Sequence, residues 1–341
     1  MSLRVALALG SGGARGYAHI GVINELQERG HEIVAVAGSS MGALVGGVFA
    51  AGELASYTEW VLGLSQRSVL RQMDPALASG GVIRADRVLG SMAELVGDRR
   101  IESLPIRYTA VAVDLLAGRE VWLDEGPLDR AIRASIGIPG VIAPTAVNGR
   151  ILVDGGVLNP VPVAATATAR ADLVVAVSLQ GPRGRQPYAP TRESAERRPV
   201  AEWWERFRSN AAGILSSDAV EAVAQRLPVR RTAPDVPEAD VAAELVATAD
   251  PATADGAADV LPSVSMRDVV SLSLDAAQSA LTRYSLAAHP PDLLITVPKD
   301  ACRTLDFHRA AELIDLGRTL AREALDREAP EDDPEPGGTQ P

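Results

Sequence analysis

The first 51 residues alternate apolar runs with glycine-rich turns and helical patterns, and this alternation restricts the possible folds most strongly. Residues 3–9 and 33–37 are continuous apolar runs that end at glycines, which is typical of buried parallel strands. Residues 16–29 and 41–51 follow them with patterns that predict helices. Strands that are joined by a helix in this way pair in parallel, with a right-handed crossover. The sequence therefore predicts an α/β protein with a mainly parallel sheet.

The rest of the chain continues this pattern less regularly. Residues 106–114 and 120–123 alternate apolar and polar side chains around Ala117 and Gly118, which predicts a β-hairpin. Further strands are predicted at residues 150–153, 173–179 and 293–297. Further helices are predicted at residues 54–64, 86–97, 128–135, 201–227, 266–287 and 307–327. The helices are expected to cover the sheet.

Composition divides the chain into one domain, an unusual segment and a tail. Apolar residues make up 47% of the 341 positions, which is ample for one large core, and we expect a single domain over residues 1–325. Residues 183–265 are rich in proline, acids and alanine, and they predict a divergent, partly disordered insert or a lid. Residues 329–341 predict a disordered acidic tail.

Charge and cysteine content restrict the partners and the compartment. The net charge of −11 argues against nucleic acid as a main partner. Cys302 is the only cysteine, so no internal disulfide can form. Because no apolar stretch is long enough to span a bilayer and none resembles a signal-peptide core, we expect a cytoplasmic protein. The sequence leaves the oligomeric state open.

The segment Gly38-Ser39-Ser40-Met41-Gly42 has the G-x-S-x-G pattern between a predicted strand and a predicted helix. In this context the pattern indicates a nucleophile elbow, a tight turn that exposes Ser40 at the carboxyl end of the strand. A serine hydroxyl becomes a useful nucleophile when a neighbouring base accepts its proton. The alternative is a glycine-rich turn with incidental serines, since the pattern also occurs by chance.

The loop from Gly10 to Gly16 favours an oxyanion-binding role. Gly12 and Gly13 have no side chains to cover their N–H groups, and paired N–H donors stabilise a tetrahedral oxyanion. The competing interpretation is a nucleotide-binding loop. A P-loop requires a lysine that is lacking here, and Arg15 occupies the position of the third glycine in the dinucleotide pattern.

The catalytic base is predicted by comparing His19, His31, His289 and His308 with Asp154. No motif surrounds any of these histidines, and His19 is expected to be packed or hydrogen-bonded within a helix. Asp154 follows a strand and precedes Gly155 and Gly156, so a sharp turn can hold its carboxylate near a ligand. An ordinary turn aspartate is the alternative. Together with the elbow and the oxyanion loop, Asp154 favours a Ser40–Asp154 dyad.

Several motifs occur together and in order: residues 9–16, 18–22 and 38–43, Asp114, Ser135 with Ile138 and Pro139, residues 154–156, and residues 159–162. In this combination the chain resembles the patatin-like phospholipases, especially the compact bacterial members related to the esterase domain of neuropathy target esterase. The resemblance covers residues 3–180 and resumes at 266–325. It implies a three-layer α/β/α fold with a mainly parallel central sheet.

The resemblance also implies roles for individual residues. It makes Ser40 the nucleophile and Asp154 the base, without a histidine, a metal or an organic cofactor. The oxyanion hole would comprise Gly12, Gly13 and Met41. Arg15 would brace the loop or meet an anionic head group. The other supporting residues would be Ser11, Gly38, Gly42, Gly155 and Gly156.

The sequence thus predicts a serine acyl hydrolase that acts on phospholipids, lysophospholipids or related esters. The alternatives are a catalytically weak lipid-binding or regulatory protein on the same fold, and an acyltransferase or peptidase that uses the same dyad. Trp203, Trp204 and Phe207 lie on one predicted helix and suggest peripheral contact with a membrane. Core packing or a dimer contact explains these aromatic residues equally well.

Overall fold

The structure, a computed structural model, describes residues 2–72, 74–75, 83–84, 90, 93–138, 142–182 and 266–328. Its strands are β1 (Arg4–Leu9), β2 (Glu32–Ser39), β3 (Asp74–Pro75), β4 (Ile83–Arg84), β5 (Arg107–Asp114), β6 (Arg119–Leu123), β7 (Thr145–Val147), β8 (Arg150–Asp154), β9 (Leu173–Gly181) and β10 (Leu293–Pro298). Its α-helices are α1 (Ala18–Glu28), α2 (Met41–Ala50), α3 (Leu54–Leu62), α4 (Gln66–Gln72), α5 (Leu128–Ser135), α6 (Met266–Ala288) and α7 (Ala310–Glu328).

The main sheet has the strand order β10-β9-β1-β2-β5-β8-β7, and β6 pairs with β5 outside this path. The strands β10, β9, β1, β2 and β5 are parallel to one another. The strands β6, β7 and β8 are antiparallel to their neighbours. The expectation of a mainly parallel α/β sheet is therefore confirmed.

The two faces of the sheet are packed differently. On β1, Leu7 and Leu9 belong to the large core that α1, α2 and α7 also line. The opposite face carries small buried side chains such as Ala8, which pack against Val161 and Val163 and against α6. Helices and loops therefore enclose the sheet on both sides, which gives the three-layer α/β/α arrangement that the sequence predicts.

The pairing of β5 brings two distant chain segments together. The whole of β6 pairs with one edge of β5, so β2 and β8 share the other edge. There Ser39 of β2 pairs with Val111, and Asp154 of β8 pairs with the next residue, Ala112. Because β2 is parallel and β8 antiparallel to β5, the two strands meet end to end. This arrangement places Ser40 beside Asp154.

The structure departs from the predicted elements mainly at helix starts and in short strands. The helices predicted at 16–29 and 307–327 each begin with a separate 3₁₀ turn, at Gly13–Tyr17 and Phe307–Arg309. The sequence does not predict α4, β3, β4 or β7, because these segments are too short for a clear periodicity. None of the helices in the described ranges is both long and apolar enough to span a membrane.

Several sequence predictions lie outside the described residues. They are the insert or lid at 183–265, the helix at 201–227 with Trp203, Trp204 and Phe207, and the tail at 329–341. Half of the helix predicted at 86–97 also lies there, whereas residues 90 and 93–96 are helical.

Candidate active site

Ser40 lies between β2 and α2 in a strained conformation, with φ 57° and ψ −123°. A positive φ is costly for a residue with a side chain, and such strain is typical of functional turns. The Ser40 side chain is 4% exposed, and its Oγ donates a hydrogen bond of 2.5 Å to Oδ2 of Asp154. The turn thus directs the hydroxyl to one carboxylate.

Two glycines allow the chain to pass closely around Ser40. A Cβ atom at Gly38 would lie 2.3 Å from the carbonyl of Gly42. A Cβ atom at Gly42 would lie 2.1 Å from the carbonyl oxygen of Leu9. Both distances are far below a van der Waals contact, so neither position accepts a side chain without movement of the backbone. The G-x-S-x-G pattern is therefore required sterically by this turn.

Asp154 ends β8 and is held from both sides of its carboxylate. Its Oδ2 accepts the bond from Ser40, and its Oδ1 accepts a bond of 2.7 Å from the N–H of Gly156. Burial raises the pKa of Asp154 to about 6, while the hydrogen bonds from Ser40 and Gly156 oppose this shift. Both the carboxylate and the hydroxyl therefore lie in a site largely shielded from water.

The two glycines after Asp154 lie against the neighbouring chain. A Cβ atom at Gly155 would lie 2.1 Å from the carbonyl oxygen of Val111, and one at Gly156 would lie 2.4 Å from Oγ of Ser11. Ser11 itself is buried, and its backbone N–H donates to the carbonyl of Pro160. The aspartate turn and the Gly10–Gly16 loop therefore pack directly on each other.

Most N–H groups of the Gly10–Gly16 loop are used to fix the loop. Gly10 donates to Val177 at 2.9 Å, and Ala14 donates to Thr304 at 2.9 Å. The N–H groups of Gly12 and Gly13 donate to no acceptor within the described residues. The loop is thus anchored on both sides of two N–H groups that have no acceptor among the described residues.

The buried guanidinium of Arg15 donates one hydrogen bond within the loop and one to the segment that follows β10. Its Nε donates to the carbonyl of Gly12 at 3.2 Å, and its Nη1 donates to the carbonyl of Lys299 at 2.7 Å. These contacts correspond to the first of its two expected roles, the bracing of the loop. They tie the loop to the segment that follows β10.

Ser135, at the end of α5, has a structural role that sequence reasoning misses. Its Oγ accepts a bond of 3.0 Å from the N–H of Ser40 and donates one of 2.6 Å to the carbonyl of Val111. The N–H of Ser40 is thereby occupied. Met41 is the first residue of α2, so its N–H has no intrahelical acceptor. Ser135 belongs to the motifs quoted above, but nothing local in the sequence signals this contact.

Two further contacts connect the site to its surroundings. The hydroxyl of Ser39 donates to the carbonyl of Asn159 at 2.8 Å, so this neighbouring serine bonds to a backbone carbonyl and not to Asp154. From α6, Nε2 of Gln278 donates to the carbonyl of Gly156 at 3.1 Å. Neither contact has a sequence signal, because the paired residues are about a hundred or more positions apart.

The histidines do not take part in this arrangement. His19 is fully buried, and its Nε2 hydrogen-bonds with the carbonyl of Gly10 at 2.8 Å. Burial lowers the pKa of His19 to about 4, so the ring is neutral at pH 7 and donates through Nε2–H. The expectation that His19 is packed and hydrogen-bonded is confirmed. In the described structure, Ser40 and Asp154 have no hydrogen bond to any histidine.

The chain is similar to several known proteins. A family model described as patatin-like phospholipase matches residues 7–167. An uncharacterised NTE family protein of Mycobacterium tuberculosis is 48% identical over 97% of this chain and 94% of its own length. Patatin-like phospholipase domain-containing protein 7 of Mus musculus is 30% identical over 51% of this chain and 13% of its own length. VipD from Legionella pneumophila shows a distant structural similarity, with a TM-score of 0.40 and 12% identity over 95% of this chain and 66% of VipD.

Over residues 7–167 the chain matches the class of the patatin-like phospholipases. Within this class, the chain belongs to the NTE family, since its similarity to the mycobacterial members extends over nearly the whole of both chains. The resemblance found in the sequence motifs is thus confirmed.

Proposed function

We propose that this protein is a serine acyl hydrolase that cleaves carboxylic esters of phospholipids or lysophospholipids. The observation on which this rests is the 2.5 Å hydrogen bond between Ser40 and Asp154, at the carboxyl end of a parallel strand. Family membership supports lipid hydrolysis in general. Related esters are further candidate substrates.

In the first half of the proposed reaction, the Oγ of Ser40 attacks the ester carbonyl carbon while Oδ2 of Asp154 accepts its proton. The carbonyl oxygen becomes an oxyanion in the tetrahedral intermediate. When this intermediate collapses, the bond to the leaving alkoxide breaks, and Asp154 returns the proton to that oxygen. The products of this step are a free alcohol and an acyl ester on Ser40.

In the second half, Asp154 accepts a proton from a water molecule, which attacks the acyl carbon. The second tetrahedral intermediate releases the carboxylic acid, and the proton on Asp154 returns to Oγ of Ser40. Both oxyanions would be stabilised by the N–H groups of Gly12, Gly13 and Met41. The support for this assignment is that the N–H groups of Ser11, Ala14 and Ser40 are all occupied. Fixed donors of this kind typically contribute a factor of about 10²–10³ each.

The raised pKa of Asp154 predicts the acid limb of the pH profile. Only the ionised carboxylate can accept the Ser40 proton, and its pKa is about 6. Therefore kcat/KM for a neutral soluble ester is expected to rise with pH up to about 6 and then to level off. Rates should be measured across this range at constant ionic strength. An unchanged rate well below pH 5 would contradict Asp154 as the base.

The substrate class is tested by the release of fatty acid from phosphatidylcholine and lysophosphatidylcholine. We expect the parent protein to release fatty acid and the Ser40→Ala variant to release none above background. Transfer of the acyl group to an added lysophospholipid, without net release, would instead indicate an acyltransferase. Binding of these lipids without any release or transfer would indicate the regulatory or lipid-binding alternative.

A further inference from the structure

The turn between β5 and β6 exposes an unusual apolar surface. Leu115 is 51% exposed and Leu116 is 78% exposed, and they follow each other at the tip of the hairpin. Ile151 of β8 is 37% exposed, and its carbonyl accepts a hydrogen bond of 2.9 Å from the N–H of Leu115. Two consecutive exposed leucines and an exposed isoleucine on the adjoining strand thus bring three exposed apolar residues into one region, whereas single exposed apolar residues need no explanation.

Two arginines flank these apolar side chains. Arg119 is exposed at the start of β6, and Arg150 is exposed at the start of β8. Nε of Arg150 lies 3.9 Å from the buried Asp114, and the exposed acid that follows Arg119, Glu120, accepts hydrogen bonds from Trp122 and Asn159. We call Leu115, Leu116, Ile151, Arg119 and Arg150 the hairpin-tip patch. Its five members are apolar or basic, although the chain as a whole is acidic.

The hairpin-tip patch lies on the side of the sheet where the candidate active site lies. Ala112 of β5 pairs with Asp154, and Leu115 follows Ala112 by three residues in the direction of the carboxyl ends. At about 3.4 Å per residue, the tip extends roughly 10 Å beyond the level of the Ser40–Asp154 pair. A flat partner that contacts the tip would therefore also face this edge of the sheet.

We propose that the hairpin-tip patch docks this protein on the surface of a bilayer that contains anionic phospholipid. A protruding turn can insert leucines among lipid chains without a matching cavity, which a protein partner would need. Arginine guanidinium groups beside it can meet anionic head groups at the same depth. The net charge of −11 opposes this binding only weakly, because exposed charges separated by more than about 8 Å are largely screened at physiological salt. The proposal goes beyond acyl hydrolysis, and docking itself requires no catalysis.

The experiment is sedimentation of the full chain with vesicles, in a Ser40→Ala background so that no lipid is consumed. One set of vesicles contains phosphatidylcholine with phosphatidylglycerol, and the other contains phosphatidylcholine alone. We expect Leu115→Gln/Leu116→Gln to weaken binding to the mixed vesicles at least about 10-fold, since glutamine removes the apolar surface without adding charge. Arg119→Gln is expected to weaken binding about 5-fold, and only to the mixed vesicles.

The matched control is Leu62→Gln. Leu62, at the end of α3, is 52% exposed, which matches the exposure of Leu115 at a different place on the surface. This variant should bind like the parent. With Ser40 restored, the hairpin variant should hydrolyse a soluble ester at the parent rate, which shows that the site is intact.

The proposal is overturned if the parent binds neither kind of vesicle, or if the double hairpin variant binds like the parent. It is also overturned if light scattering shows that the hairpin variant only converts a dimer into a monomer, because the patch then joins two copies of the chain. Vesicle binding that depends on the leucines, in a protein that hydrolyses no ester, would support docking and refute the proposed function. Ester hydrolysis without vesicle binding would support the proposed function and refute docking.

Discussion

Replacement of Ser40 by alanine is expected to lower kcat/KM for a soluble p-nitrophenyl ester by at least about 10⁴-fold. The substitution removes the only hydroxyl that hydrogen-bonds to Asp154 within the described residues. Alanine has the same backbone strain at φ 57° as serine, so the elbow should keep its shape. Initial rates of nitrophenol release measure the effect, and thermal unfolding shows that the variant is folded.

Ser39→Ala is the matched control for this variant. Ser39 is the adjacent serine and is equally buried, but its hydroxyl donates to the carbonyl of Asn159. Its loss should cost about 1–2 kcal/mol of stability, because one buried carbonyl loses its partner, and it should change the rate by less than about 10-fold. Equal losses in the two variants would show that the effect is structural and would contradict the role of Ser40 as the nucleophile.

Asp154→Asn is expected to lower kcat/KM for the same ester by about 10²–10⁴-fold. Asparagine has the shape of aspartate, and its carbonyl oxygen can still accept the N–H of Gly156 in place of Oδ1. Its amide group can donate to Oγ of Ser40 but cannot accept the proton of that hydroxyl. The rate loss would therefore arise from the missing base in a turn that keeps its geometry.

The same variant should be more stable than the parent at alkaline pH. The pKa of Asp154 is about 6 in the folded protein, above the usual 3.8, so folding favours the protonated carboxyl. The contribution of the protonated carboxyl to the free energy of unfolding is fully present below about pH 4 and is lost as the pH rises through 6. Asparagine resembles the protonated form, so Asp154→Asn should raise the free energy of unfolding by about 1–3 kcal/mol at pH 8 and leave it unchanged at pH 4.

Denaturant unfolding of the parent and the Asp154→Asn variant at these two pH values measures that difference. A variant that is inactive and also much less stable at both pH values would indicate that Asp154 holds the turn together. Greater stability combined with a lost rate would instead indicate a residue that serves the reaction at the expense of the fold.

The local features of the site can be predicted from the sequence because their causes are local. Gly38 and Gly42 make the elbow sterically possible, and both lie within two residues of Ser40. The apolar runs at residues 3–9 and 33–37 likewise predict β1 and β2, because parallel strands are buried on both faces and therefore consist of continuous apolar residues. The hydrogen-bonded pairing of Ser40 with Asp154 is also predictable, although the two residues are 114 positions apart, since each lies in a recognisable turn.

Other parts of the site depend on tertiary pairing and have no sequence signal. The end-to-end meeting of β2 and β8 follows from the register of both strands on one edge of β5. The Ser135 contact with the N–H of Ser40 joins residues 95 positions apart, and an ordinary serine at a helix end does not indicate such a partner. The short strand β7 exists only because it pairs with β8.

The most direct test of the central claim is labelling of the full-length parent with a fluorophosphonate probe, followed by mass mapping of the adduct. Because this probe reacts with serines that a base activates, we expect a single adduct on Ser40. Ser40→Ala should abolish labelling, Asp154→Asn should slow it strongly, and Ser39→Ala should retain it. Absence of labelling in the folded parent, or an adduct on another serine, would contradict a Ser40–Asp154 acyl hydrolase.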